Sequence, residues 1–266
     1  MPTQQNSDSV KDGKEQMGLG VKAASAAKWS FASQIAAKLV SPLTTMILAR
    51  LLTPEAFGVV ASVTMVTSFA EVFSDAGFQK YLVQHEYASD EDLHRSACVS
   101  FWTNLSISIA LWLLIAIFNE QVASAVGNSG LGIVLVVAGG SIPLTALTSV
   151  QTGLFQRALN YRTLFKSRVL SSLITMVVSV VLAAAGADFW AIVAGTLASN
   201  LFLCVYLTLK SSWKPHPFYS FKELREMFSF SGWTLLETMS IWLVSWVGTF
   251  IIANVMTPNQ VGLYKT

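Results

Sequence analysis

The first apolar run of the chain carries Gln34, Lys38, Ser41 and Thr45. Their spacing, i, i+4, i+7, i+11, places all four on one helical face. A lysine near the centre of a bilayer costs at least about 2.5–3.5 kcal/mol, so this stripe should turn from lipid toward a bundle interior or a watery cavity. A later run carries a matching stripe, Thr238, Trp242, Ser245 and Thr249, with Glu237 beside it. Lys38 suits an anion that has left its water and counterions behind. It equally suits a structural pair with an acid such as Glu237, or a side chain snorkelling to the surface. Glu237 reads as a proton- or cation-coupling acid, or as a plain ion-pair partner. Glu71 and Asp75 stand four apart at the inner end of another run, on one face. They read as a gate or coupling-ion pair, or, more simply, as a solvated helix end paired with Lys80 or Arg95. Arg50, near the outer end of the first run, reads as a cavity cation or as an interfacial anchor beside Glu55.

Other chemistries lack their residues. His85 and His94 have no cysteine partner at metal-ligand spacing, so no metal site is expected. Cys98 and Cys204 fall in separate apolar runs and read as small core residues. No glycine-rich phosphate loop, nucleophile elbow or soluble carboxylate cleft occurs. The expectation is a protein that is not an enzyme and has no cofactor.

The elements that hold these residues follow from composition and charge. Of 266 residues, 53% are hydrophobic and 12% charged, against about 25% charge in a soluble domain. That excludes a disordered chain, an ordinary cytosolic enzyme and a nucleic-acid binder, and predicts an all-α polytopic membrane protein. Apolar runs at 29–49, 57–73, 97–118, 131–150, 169–187, 189–209 and 228–255 predict about seven transmembrane helices. Residues 1–16 are polar and read as a disordered tail. Lys and Arg gather in the N-terminal segment and in the loops after the second, fourth and sixth runs, including Lys80, Arg95, Arg157, Arg162, Lys210 and Lys214. The alternate loops hold almost none. The positive-inside rule puts the N-terminus and these basic loops in the cytoplasm. Asp90, Glu91 and Asp92 read as the first turn of a helix. Trp213, Phe218, Tyr219 and Phe221, interleaved with basic residues, predict an interfacial amphipathic helix.

The chain also repeats itself at a shift of 204 residues, which lays Trp29 on Trp233, Thr53-Pro54 on Thr257-Pro258 and Gly58 on Gly262. Thr-Pro should close a helix at the membrane surface, and the glycine should allow a tight start to the next. Two parallel units are implied, related by an axis along the membrane normal. Residues 17–225 form one six-helix lobe, and 226–266 the opening helix and turn of a second. The expectation is that Thr266 is not a natural end, or that another chain supplies the rest, roughly another 170 residues.

Several segments resemble one family. Ala49–Gly58 resembles the first-loop signature of bacterial polysaccharide flippases of the multidrug/oligosaccharidyl-lipid/polysaccharide exporter superfamily. Phe73–Phe78 with Leu82-Val83-Gln84 is similar to the inner end of their second helix. Gln151–Arg157 with Tyr161-Arg162 is similar to their loop after the fourth. The resemblance implies two six-helix lobes around a central cavity and alternating access. It implies translocation of undecaprenyl-pyrophosphate-linked oligosaccharide across the cytoplasmic membrane for O-antigen, capsule or exopolysaccharide synthesis. Lys38 would then face the pyrophosphate, and membrane lipids, a polymerase and a chain-length protein would be partners. A multidrug or cation antiporter of the same superfamily is the alternative.

Overall fold

A computed structural model describes residues 24–32, 35 and 39–255. The predicted stripe residues Gln34 and Lys38 and the second Thr-Pro turn lie outside the described residues. The elements are α1 (Leu39–Leu51), then α2 (Pro54–Asp75), α3 (Phe78–Gln84), α4 (Asp90–Ile117), α5 (Asn119–Ala125), α6 (Gly132–Gly139), α7 (Ser141–Arg157), α8 (Tyr161–Ala184), α9 (Phe189–Lys210) and α10 (Phe221–Val255). Hydrocarbon offers backbone groups no water, so helices that satisfy their own hydrogen bonds are the form open to such a sequence. Among the described residues, α2, α4, α6 with α7, α8 and α9 are long and apolar enough to cross a membrane. They cover the second to sixth predicted runs. Leu113, Ile117, Val177, Val181, Leu201, Val205 and Leu209 are exposed. In water they would be a liability; in a bilayer they are the lipid-facing surface.

The breaks between helices are local chemistry. Thr53 caps α2, its hydroxyl accepting from the Ala56 N–H at 3.3 Å, and Pro54 takes the first helical position, where a missing N–H costs nothing. The span therefore begins at Pro54 rather than at residue 57. Gly58, expected to start it, lies buried inside the helix. Ala76 and Gly77 adopt left-handed conformations, φ 45° and 79°, and separate α2 from α3. Ser89 caps α4 through the Asp92 N–H at 3.2 Å, and Asp90, Glu91 and Asp92 fill the first turn as expected. The fourth predicted run is two helices, not one. Pro143 cannot supply the N–H that the Gly139 carbonyl would receive in a continuous helix, and the chain breaks at Gly140 between α6 and α7. A tight turn joins α8 to α9, with Gly186 at φ 85° and Asp188 at φ 48°.

Two further expectations are corrected. Residues 211–220 form no helix, because Pro215 and Pro217 remove donors and disfavour helical neighbours. Instead the segment folds back on the bundle: Trp213 packs on Phe101 at 5.8 Å, and the Trp102 Nε1–H donates to the His216 carbonyl at 2.8 Å. The last helix starts at Phe221, not residue 228, and runs 35 residues. At about 1.5 Å per residue that is about 50 Å, longer than the hydrocarbon layer.

The basic segments meet at one end. The Arg157 guanidinium donates to the carbonyls of Leu82, Val83 and His85 at 3.1, 3.4 and 2.6 Å and lies 4.8 Å from the Tyr87 ring. It closes the C-terminus of α3. Beside it the Gln79 amide donates to Gln156 at 3.2 Å. Two of the three segments whose sequences resemble the flippase family are thus in contact. Arg162 sits 5.9 Å from the Trp29 ring, and Arg95 5.7 Å from Phe218. α10 joins this end through Lys80–Glu237, an ion pair of 3.0 Å, and through Phe78 against Phe228 at 5.2 Å. Burial raises the Glu223 carboxyl above its ordinary value, with Arg95 and the Ser96 hydroxyl pulling it back. At the opposite end the turn between α1 and α2 meets the turn between α8 and α9, with Leu52 and Ala56 packed against Ala183, Ala187 and Ala191.

Gly195 allows α8 and α9 to approach closely. A Cβ there would overlap the Ser179 hydroxyl and lie 3.0 Å from the Thr175 carbonyl. Gly195→Leu should therefore destabilise the protein by roughly 1–3 kcal/mol, the usual cost of overpacking, seen as a lower melting temperature in detergent. Arg157→Ala leaves three carbonyls without their donor and should cost about 1–3 kcal/mol. Lys80→Ala removes only a half-exposed pair and should cost less than about 1 kcal/mol. The same melting series separates the two.

Candidate functional site

The fold brings a pair of acids into the bundle, not to its surface. Glu71 lies one turn before the end of α2 and Asp75 at its last residue. α7 runs beside them and presents Ser141, Thr145 and Ser149, spaced i, i+4, i+8 on one face. The hydroxyls of Ser141 and Thr145 donate to Glu71 Oε1 at 3.3 and 3.2 Å, and the Ser149 hydroxyl donates to Asp75 Oδ1. These groups line a cavity of about 220 Å³, closed by Leu164, Ser167 and Arg168 of α8 and by Leu203 and Leu207 of α9. A second cavity of about 380 Å³ shares Glu71, Ser141, Thr145 and Thr148, and adds Thr64, Thr67, Ser68, Thr196 and Asn200.

Together the two cavities follow α2 from Val60 to Asp75 and reach Gln79 of α3. Along α2, at about 1.5 Å per residue, that is about 22 Å, most of the thickness of the hydrocarbon core. Their walls are mostly apolar, and hydroxyls, amides, two carboxylates and the Arg168 guanidinium are set into them. Among the described residues neither acid forms an ion pair. Hydroxyls donate hydrogen bonds but carry no charge. Arg168 lines the first cavity without an ion pair to either acid, and a proton, or a small hard cation that takes oxygen ligands, is a further balancing charge this donor set can accept.

The predicted residues separate. The simpler reading of Glu71 and Asp75, a solvated end paired with Lys80 or Arg95, is overturned: Lys80 pairs with Glu237, and Arg95 with Glu91 at 2.6 Å. Glu237 is an exposed partner in that first pair, not a deep acid beside the Thr238 stripe. Trp242 turns to α2, its Nε1–H donating to the Ser68 hydroxyl at 3.0 Å and its ring 4.7 Å from Phe69. It lines an apolar pocket of about 450 Å³ between α2, α4 and α10. Ser41, Arg50 and Ser245 are exposed. The Thr45 hydroxyl folds back to the Ser41 carbonyl at 3.1 Å, and Ser245 likewise to Ile241 at 2.8 Å. Arg50 forms no ion pair with Glu55 among the described residues. The Thr249 side chain, like Gln34 and Lys38, lies outside what is described.

The partners of the acids, Ser141, Thr145 and Ser149, were not anticipated. Their signal is present: hydroxyls at every fourth position in the fourth run, matching the spacing of Glu71 and Asp75. Hydroxyls in membrane helices commonly bond their own backbone, as Thr148 does to Thr145 here, so spacing alone did not single them out.

Comparison with known proteins places this geometry. The chain is 29% identical to the succinoglycan biosynthesis transport protein ExoT of Rhizobium meliloti (strain 1021), over 89% of this chain and 47% of that protein. It is 20% identical to the lipopolysaccharide biosynthesis protein WzxC of Escherichia coli (strain K12), over 94% of this chain and 50% of that one. An uncharacterized membrane protein in the cps region of Klebsiella pneumoniae is 24% identical over 94% of the chain. The chain spans about half the length of these relatives. Its fold resembles an inward-facing multidrug resistance MATE family transporter of the MOP superfamily, with a TM-score of 0.58 at 14% identity, over 85% of this chain and 56% of that one. A profile described as polysaccharide biosynthesis protein matches residues 47–266. The chain therefore belongs to the polysaccharide biosynthesis protein family, a multi-pass membrane protein with the fold of the MOP superfamily exporters.

Proposed function

We propose that this chain forms the first lobe, residues 17–225, and the opening helix of the second lobe, 226–266, of a flippase. Its substrate is an undecaprenyl-pyrophosphate-linked oligosaccharide, moved across the cytoplasmic membrane for cell-surface polysaccharide synthesis. The basic end faces the cytoplasm and meets the anionic head group, with Lys38 and the α1 and α10 stripes lining the path between lobes. The lobes rock to open outward. Glu71 and Asp75 exchange a proton or cation as they do so, which gives the motion a driving force. The observation that carries this reading is the carboxylate-bearing cavity through an apolar bundle, in a family of polysaccharide biosynthesis proteins. A polymerase and a chain-length protein would act on the delivered unit.

The same acids favour a second reading, a multidrug or cation antiporter, since carboxylates suit a cationic cargo. One experiment separates the two. The full-length protein is expressed in a strain that lacks its own exporter, and surface polymer and resistance to cationic dyes are both measured. Restored polymer without dye resistance supports the flippase; dye resistance without polymer supports the antiporter.

In that assay Glu71→Gln and Asp75→Asn should each lower export at least about tenfold, the size expected when a proton-transfer group is removed, while the protein still reaches the membrane. Lys38→Ala should abolish export if Lys38 holds the pyrophosphate, and normal export would end that assignment. A reporter fused at Arg157 should read cytoplasmic; an external signal would reverse the proposed orientation.

A further inference from the structure

We infer that the pocket at the basic end of the bundle binds the head group of a zwitterionic phospholipid of the phosphoethanolamine class. The pocket, about 390 Å³, is lined by the first turns of α4, the end of α7, Asn160 capping α8, and the end of α9 with the residues just after it. Each of these lies at a terminus of a candidate membrane span: Asp90–Ile117, Gly132–Arg157, Tyr161–Ala184 and Phe189–Lys210. The pocket therefore lies where four spans leave the hydrocarbon, at the depth of lipid head groups.

Its polar groups match a zwitterion. Asp90 supplies a carboxylate and Lys210 an ammonium, and among the described residues neither is in an ion pair. The indole N–H of Trp213 lines the same pocket, is buried and has no acceptor. A phosphate would supply that acceptor and the counter-charge for Lys210. A primary ammonium would supply donors and charge for Asp90. Leu154 and Phe155 form the apolar wall against which the glycerol and first acyl carbons would lie.

The nearby charges do not compete. Glu91 is taken by Arg95, the Asp92 carboxylate by the Ser89 hydroxyl, and Lys214 folds back to the Thr208 carbonyl. His94, the remaining titratable group lining the pocket, lies tilted 6.0 Å from the Trp213 ring and 5.4 Å from the His216 ring. Phosphatidylglycerol carries the same phosphate but a neutral glycerol beyond it, which leaves the Asp90 charge unbalanced. A choline head cannot donate to Asp90. The primary amine satisfies both ends.

The test is lipid retention by the full-length protein, purified from equal mixtures of dioleoyl phosphatidylethanolamine, phosphatidylglycerol and phosphatidylcholine and read by native mass spectrometry. Phosphatidylethanolamine should be retained at least about fivefold over either competitor. Asp90→Asn should abolish the discrimination against phosphatidylglycerol. Lys210→Ala should weaken retention of all three lipids, since each presents a phosphate to it. Trp213→Phe keeps the ring packing but removes the donor, and should lower retention without lowering the melting temperature. Equal retention of the three lipids, or a preference that survives Asp90→Asn and Lys210→Ala in folded protein, would overturn the assignment.

Discussion

Charge has to be balanced wherever water is scarce, and this chain meets that demand in different ways at different depths. At the basic end, cations find partners directly: Arg157 on three carbonyls, Arg95 on Glu91, Lys80 on Glu237. Inside the bundle the two acids of α2 accept from hydroxyls and, among the described residues, form no ion pair, with Arg168 in the wall of the same cavity. The same low dielectric that makes a lone charge expensive makes its neutralisation by an exchangeable species worth a large free energy. A structural ion pair would fix the site in one state. Hydroxyl donors hold the carboxylates in place and leave the balancing charge free to come and go.

The backbone breaks make that arrangement possible. Gly140 and Pro143 divide the fourth span, and α7 then runs with its hydroxyl face toward α2. Ala76 and Gly77 end α2 just after Asp75, so the acid sits at a helix terminus where α3 turns away. Gly77 also admits α10: a Cβ there would fall 2.9 Å from Thr234. The helix that opens the proposed second unit is therefore fastened to the first at the basic end, through Lys80, Phe78 and Gly77. In a rocking mechanism these contacts lie where the lobes would have to part for the cavity to open inward.

Much of this was legible in the sequence, because lipid leaves few alternatives. Hydrophobic runs of membrane length could hardly form anything but helices, and the central five were found with boundaries shifted by up to eight residues. The alternation of basic loops with loops nearly free of Lys and Arg anticipated which loops meet: Arg157, Arg162, Arg95 and the 211–220 segment gather at one end. The misses have one cause. Periodicity shows which residues share a face but not which face meets which neighbour. Glu237 read equally as a coupling acid or a plain ion-pair partner, and the packing of α10 against α3 gives it the ion pair with Lys80; Glu71 read more simply as solvated, and α7 against α2 supplies it with hydroxyls instead. Pro215 and Pro217 were sufficient to argue against a helix after α9, yet the aromatic and basic pattern outweighed them. The repeat at 204 residues fixed attention on α1 and α10, while the hydroxyls that hold the acids came from a run with no charge at all.

The central claim is that Glu71 and Asp75 carry an exchangeable proton or cation inside the first lobe. Infrared difference spectroscopy on the full-length protein in lipid, as external pH or sodium is stepped, reads carboxyl protonation directly. The account predicts a carboxyl band that appears or vanishes with the step in the wild type and is missing in Glu71→Gln and Asp75→Asn. A spectrum with no such band, with the carboxylate signals unchanged by protons and by sodium alike, would contradict it.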